Sequence, residues 1–480
     1  RNHRVGIVNS SKLSYRAEID GLRAIAVVSV ILYHAQMGDW FEGGFIGVDI
    51  FFVISGYLIT RIILSELKAK GSFSFLNFYE RRARRILPML FVVIFVSIPY
   101  AWQWLLPSDY VEYAESALAS FFFGSNFFFY FSTTEYGADS SLLKPLLHTW
   151  SLGVEEQFYL VFPILAIVVF KYFRKHFLTI LVGLSLLSLQ FAQLMEVHNS
   201  DLNFYLPFSR FWELAFGSML AYRELNYKAS DEGIATKAFP MLGLYLIAYS
   251  ILFFDGNTPH PSFHTLIPIV GVGLIIGFAS KDELVGRVLG SKPFVWIGLI
   301  SYSAYLWHFP IFAFSRRGSS EPTNFDKIEW IIITVVLSVL TYWCIERPFR
   351  KKVRNRNFIT VLVVSVCSLS LFLLYVIKSD GVPTTSRLGF NINLIDSVTR
   401  PSEFFDKSGA NSCHRDVVTI EGLDWCELGQ AKVKNFDVVV LGDSHSMSST
   451  VTLNKLLLEK DLKALYFGTS GCPPLLDLYA

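Results

Sequence analysis

Asp20 to Gly38 reads DGLRAIAVVSVILYHAQMG, an apolar run long enough to cross a bilayer and interrupted only by Arg23 and His34 among its central residues. Those two side chains lie eleven positions apart. At roughly 100° per residue they return to nearly the same helix face, about 16 Å apart along the axis. An ionisable group inside a span is costly and marks function by default. The competing reading has Arg23 snorkelling to the headgroups and His34 closing the other end of the helix. The remainder of the chain decides between the two.

A chain of 480 residues that is 52% hydrophobic, with 44 Phe and a mean hydropathy of +0.42, carries more apolar surface than a soluble core can bury. It reads as a polytopic α-helical membrane protein. The net charge of +2 is uninformative in sum, and no basic domain offers itself to a nucleic acid, so none is expected as a partner. The polar leader Arg1 to Ile19 lacks the short apolar core and small-residue cleavage site of a signal peptide, so the first span is expected to stay in place.

Apolar segments of spanning length fall near 20–38, 45–65, 86–106, 147–170, 177–197, 205–222, 239–254, 264–280, 294–314, 328–345 and 358–377. Lys and Arg cluster before the first span, at 68–85, 171–175, 223–237, 281–292 and 347–356. Positive loops belong in the cytoplasm, which predicts eleven transmembrane helices, a cytoplasmic N-terminus and an extracytoplasmic segment after Lys378. The short Phe-rich stretch 117–131 then has to be re-entrant or interfacial. Arg316 and Arg317 fall on the outer side, against the rule.

Beyond Lys378 hydropathy falls and turn residues rise. Residues 379–435 read as a linker and extension, and 436–480 as the start of an α/β domain. A Cys413–Cys426 disulfide fits the oxidising space that this topology assigns. Cys344 and Cys367 lie in spans and are expected in the core. The run FDVVVL, Phe436 to Leu441, leads directly into GDSHS and an apolar-periodic stretch, a strand, tight turn and helix. Ser444 at that turn stands where a nucleophile can project beside helix-start N–H groups. A capping Ser in any α/β unit would look the same from GDS alone.

Further polar residues sit in the bundle. EGGFIGVDIFFVISGYL, Glu42 to Leu58, carries Asp49 into a span on the face of Val53 and Gly56. An acid there needs a partner. FYERRARRILP, Phe78 to Pro88, places Arg81, Arg82, Arg84 and Arg85 at a cytoplasmic mouth, both as an anchor and as bidentate donors for phosphate. HTWSLGVEEQFYLVFP, His148 to Pro163, carries His148, Glu155 and Glu156. Glu155 lies ~12 Å from the outer start of its span and His34 ~21 Å from the inner start of its own. Comparable depth suggests a His34–Glu155 pair in which the carboxylate orients the imidazole as a base. SRFWEL supplies Arg210 and Glu213, and SYSAYLWHFP supplies Ser301, Tyr305 and His308 on one face. Each of these residues also fits a role as interhelical glue.

In this order and spacing, the residues from about 15 to 350 resemble the membrane acyltransferase-3 family. The features that carry the resemblance are Arg23 with ten residues to His34, GGFIGVDIFFVISGY, the RRxxR of Arg81 to Arg85, HTWSLGVEEQFY, YLWH and ERPF. GDSH similarly resembles the first block of the SGNH hydrolase and acyltransferase fold, which implies Ser444 as nucleophile and Ser444 and Gly471 as oxyanion donors. That fold's later Asn and Asp-x-x-His blocks have no counterpart before Ala480, so the second domain is expected to be incomplete here. The domain layout is therefore an acyltransferase bundle at 1–350, an eleventh helix within 351–378, the linker, and an SGNH-like extracytoplasmic domain.

The combined resemblance implies a bacterial inner-membrane O-acetyltransferase with acetyl-CoA as cytosolic donor and no metal. The acceptor implied is a surface glycan or its lipid-linked precursor, with lipopolysaccharide O-antigen first and peptidoglycan as the alternative. In this reading Arg23, Arg82 and Arg85 hold the CoA phosphates, and His34 is acylated or acts as base with Glu155. Acetyl then passes outward, directly or through Ser444. A glycan transporter with an appended esterase, or an anchored esterase, accounts for parts of the pattern.

Overall fold

The bundle helices begin and end where the chain's chemistry says they should. α1 (Ala17–His34) opens with Glu18 and Asp20 in its first turn and closes on His34, the charge order that complements a helix dipole. A 3₁₀ segment (Asp39–Ile46) turns the chain into α2 (Gly47–Lys70), which Gly71 stops at φ +71°. The computed structural model describes residues 15–135, 138, 140–227, 234–318, 322–350, 358–382, 418–420, 423–429, 437–443, 453, 456–458, 460 and 462–469.

The chain continues through α3 (Phe75–Trp104), α4 (Pro107–Phe121), α5 (Ser125–Thr134), α6 (Thr149–Tyr172), α7 (Phe177–His198) and α8 (Ser200–Tyr205). Then come α9 (Pro207–Asn226), α10 (Ile234–Phe253), α11 (Leu266–Phe278), α12 (Leu284–Leu289) and α13 (Lys292–Arg317). α14 (Asn324–Thr341) starts on a Thr323–Asp326 capping box and runs through a π turn (Tyr342–Glu346) into α15 (Arg347–Arg350). α16 (Phe358–Lys378) is the last helix of the apolar region.

A helix stands at each of the eleven expected segments, and seven helical stretches among the described residues are long and apolar enough to cross a membrane. α10 and α11 are shorter in their apolar parts, and α1 and α9 have the length but bury charge. The structure thus supports a multi-pass bundle in which seven helical stretches among the described residues meet both length and apolarity, and the count of eleven is not confirmed. The 117–131 window is the meeting of two helices, with Phe122 to Gly124 between α4 and α5.

Outward faces are apolar, as at Leu160, Val161 and Ile164 on α6 and Leu186 and Leu187 on α7. Cys344 and Cys367 are exposed rather than in the core. Lipid is as apolar as a protein interior, so a span need not bury its apolar residues against protein.

The chain divides into two units, Arg1–Trp104 with Tyr113–Leu374, and Leu105–Glu112 with Tyr375–Ala480. In the first, α1 packs on α13, α2, α12 and the 3₁₀ segment, and α2 packs on α9. Backbones touch at these crossings. A methyl group on Gly56 would stand 1.9 Å from the Leu214 carbonyl oxygen, and one on Gly298 would stand 1.9 Å from that of Asp20. Such contacts fix the depth and rotation of α1 and α2, and with them the polar residues that both carry.

In the second unit the described strands are β1 (Val418–Ile420), β2 (Leu423–Gly429), β3 (Val438–Asp443) and β4 (Lys463–Thr469), in the order β1-β2-β4-β3. β3 and β4 are parallel while the other pairs are antiparallel. A parallel pair needs a crossover, and helical residues at 453 and 456–458 lie within it. The strand and the helical residues agree with the expected strand and helix, and the turn at Ser444 lies outside the described residues. Ser444, Gly471 and Cys413 lie outside the described residues, as does the side chain of Cys426, so the nucleophile, oxyanion and disulfide expectations fall there too.

Candidate active site

Three groups of described polar residues in the bundle hold most of the side chains that the sequence singles out. The first surrounds an open cavity lined by Arg23 from α1, Ser55 from α2, Arg82 and Arg85 from α3, Glu155 and Tyr159 from α6, and Tyr302 and Tyr305 from α13. Three residues separate Arg82 from Arg85, so one face of α3 presents both. Arg82 donates to Glu156 at 3.2 Å and lies 4.1 Å from the centroid of the Tyr159 ring. Arg23 pairs with Asp20 at 3.3 Å. Arg85 makes no hydrogen bond or ion pair among the described residues, while Arg23, Arg82 and Arg350 are all near enough to repel it.

The neighbouring carboxylates are engaged with other groups. Glu155 accepts from Ser55 at 2.7 Å and Tyr159 at 3.3 Å, and Glu346 accepts from Ser303 at 2.6 Å and from Arg350. Arg85 therefore lines the cavity without an ion pair among the described residues, beside arginines paired with Asp20, Glu156 and Glu346, and is the guanidinium left to take an anionic group. Of the RRARR run, Arg81 and Arg84 face other partners, Glu66 at 3.9 Å and Glu80 at 2.9 Å.

A second group lies beyond Tyr305. The Tyr305 hydroxyl donates to the His148 carbonyl at 2.9 Å and meets the Ser151 hydroxyl at 2.6 Å. Tyr305 and Ser151 line the cavity, whereas His34, His148 and His308 do not. Behind this partition His34 Nδ1 lies 3.1 Å from His308 Nε2, and the His148 ring centroid lies 5.4 Å from that of His308. His148 is buried, stacks on Phe309 and has no hydrogen-bond partner at either ring nitrogen. Arg316 donates to the His34 carbonyl and stands over the Phe312 and Trp330 rings, so the arginine that broke the positive-inside pattern closes the end of α1.

The expected His34–Glu155 pair is corrected by this geometry. His34 meets His308, and Glu155 belongs to the arginine cavity. His148, just ahead of the first residue of α6, is already buried at the level of the histidines, so Glu155 sits about two turns, ~10 Å, further along the helix.

The third group is closed. Asp49, Arg210 and Glu213 are fully buried, and Arg210 Nη1 donates to Asp49 at 3.0 Å, to Glu213 at 3.3 Å and to His260 Nε2 at 2.8 Å. Arg210 is the partner that Asp49 needed, and the set joins α2, α9 and the loop before α11. The sequence reading missed His260, Arg350, Glu346, Ser55 and Tyr159. Tyr159 had a findable signal, because it follows Ser151 and Glu155 at four-residue spacing on the face of α6 that lines the cavity. His260 lies in a loop, where periodicity says nothing.

A family model described as "Acyltransferase domain" matches residues 16–347, and one described as "SGNH domain (fused to AT3 domains)" matches residues 412–480. Among curated proteins, the chain is 33% identical to the peptidoglycan O-acetyltransferase OatA of Listeria monocytogenes over 356 residues, 70% of this chain and 56% of the relative. It is 33% identical to the putative peptidoglycan O-acetyltransferase YrhL of Bacillus subtilis, covering 70% of this chain and 55% of the relative. A putative O-acetyltransferase of Staphylococcus aureus strain N315 is 31% identical, with 73% and 60% covered. The chain thus spans little more than half the length of these relatives. No solved structure matches it. The arginine cavity and the histidine group both lie within the matched domain, and the chain belongs to the acyltransferase-3 family.

Proposed function

We propose that this chain is the membrane part, with the start of the appended domain, of an O-acetyltransferase that takes acetyl from cytosolic acetyl-CoA and delivers it to a hydroxyl of an extracytoplasmic glycan. The observation that carries the reading is the order of groups along the bundle. Arg85, with no ion pair among the described residues, borders an open cavity beside the paired Arg23 and Arg82, and a histidine pair sits beyond the tyrosine at its far wall. Arg23, Arg82 and Arg85, joined by Arg350, suit the phosphates of CoA, and the pantetheine arm would run up the cavity toward Tyr305 and Ser151. His34 then takes the proton of the attacking hydroxyl or accepts the acetyl group itself.

Among acceptors, peptidoglycan has support in the names of two relatives, and O-antigen has no comparable support. The positive-inside pattern puts the arginine end in the cytosol and the second domain outside, where Ser444 would complete the transfer. The test is transfer of labelled acetyl from acetyl-CoA to glycan in membranes holding the full-length protein. His34→Ala is expected to reduce incorporation by roughly 10²-fold or more. Wild-type incorporation by that variant would defeat the reading.

A further inference from the structure

His34 and His308 meet ring to ring, with centroids 5.2 Å apart and planes 26° from parallel. The other nitrogen of His308 makes this contact informative. His308 Nδ1 lies 2.6 Å from the Tyr305 carbonyl oxygen, which can only accept, so Nδ1 carries a proton. In the neutral ring the second nitrogen, Nε2, is then bare and can only accept. The 3.1 Å contact to His34 Nδ1 therefore requires His34 to be the donor. The lone pair of His34 is left on Nε2.

A doubly protonated His308 would reverse the direction, but the surroundings do not suit one. The groups acting on His308 are the Tyr305 and Ala304 backbone and the Arg316 guanidinium, those acting on His34 are His308 and Arg316, and those acting on His148 are His308, His34 and the Leu306 backbone. No carboxylate is among them to offset an imidazolium. Phe309 holds the His34 ring edge to face at 4.9 Å, so the ring cannot turn away from His308 without disturbing that contact.

We infer that His308 is a positioning residue for acetyl transfer, holding His34 in the one tautomer whose Nε2 bears the reactive lone pair. The inference rests on the reading of His34 as the reacting group. If His34 is the base, Nε2 takes the acceptor's hydroxyl proton as that oxygen bonds to the thioester carbonyl carbon, and the departing CoA sulfur recovers the proton when the C–S bond breaks. If His34 is the nucleophile, Nε2 bonds to that carbon, the Nδ1 proton passes to His308 Nε2, and CoA leaves as thiolate. When the acceptor oxygen displaces the imidazole, the hydroxyl proton leaves as bulk acid, His308 returns its proton to His34 Nδ1, and the thiolate is protonated from water. Either route needs Nε2 unprotonated at the start.

The experiment uses full-length protein carrying His34→Ala, His308→Leu or His308→Gln, together with ¹⁵N-histidine labelling. His308→Leu removes the acceptor, and kcat is expected to fall roughly 10²-fold with KM for acetyl-CoA and the yield of folded protein unchanged. His308→Gln offers an amide oxygen to His34 Nδ1–H and is expected to stay within roughly tenfold of wild type. The ¹⁵N spectrum of the wild type should show His34 protonated on Nδ1 and bare on Nε2. Unchanged kcat in His308→Leu, a Gln variant as poor as Leu, or a protonated Nε2 in the wild type would each overturn the inference, the last without depending on any variant's folding. If His34→Ala stays active, the reading beneath it fails. If His34→Ala is inactive while His308→Leu is not, only the role of His308 fails.

Discussion

Two buried clusters in this bundle have similar chemistry and opposite character. Around Arg210, one guanidinium is set between Asp49, Glu213 and His260 in a packed site with no exposure. Around Arg85, guanidiniums from α1, α3 and α15 crowd one another beside an open cavity; Arg23, Arg82 and Arg350 are paired with Asp20, Glu156 and Glu346, while Arg85 has no hydrogen bond or ion pair among the described residues. Buried charge alone therefore does not mark a ligand site. An arginine without an ion pair against unfilled volume does, and a buried, mutually bonded set works as a clamp between helices.

Substitutions can break that contrast. Arg210→Leu leaves two carboxylates buried together and is expected to cost about 3–5 kcal/mol, seen as a drop in thermal stability or in recovery of folded protein. If the variant is fully stable and only loses affinity for acetyl-CoA, the clamp is really a ligand site. Arg85→Ala should do the reverse. Loss of charge-assisted hydrogen bonds to phosphate is worth about 1.5–3 kcal/mol, so KM for acetyl-CoA is expected to rise roughly 10- to 100-fold while the melting temperature holds or increases through relief of repulsion. A destabilised Arg85→Ala protein with normal KM would reverse the assignment. At the small end, Cys344→Ser and Cys367→Ser sit on outward faces away from both clusters and should change stability by less than about 0.5 kcal/mol.

The helices were legible because hydropathy and length write spans directly into sequence, and the i, i+3 spacing of Arg82 and Arg85 put both on one cavity wall as expected. Asp49 announced that it needed a partner, and Arg210 supplied it. The partner of His34 was not legible. Counting residues from the end of a span estimates depth but gives no rotation about the axis, and it needs the true membrane edge. Placing that edge near residue 147 put Glu155 at the level of His34, whereas His148 already occupies that level. His308 stood out as polar on its own helix, yet nothing in a single sequence joins it to a residue 274 positions earlier. The seven-against-eleven difference has a related cause, because α1 and α9 fail an apolarity test through the very charges that give them their roles.

The contact of Tyr305 with Ser151 has an electrical consequence as well. A route that brings an acetyl group from one side of a membrane toward the other is a route for protons unless something closes it. Here two hydroxyls and the His148 carbonyl satisfy one another, so neither hydroxyl is left to anchor a file of water between the cavity and the histidines. On the proposed transfer route, such a partition is where the roughly 2.3 kcal/mol per charge that 100 mV across the membrane represents would be held.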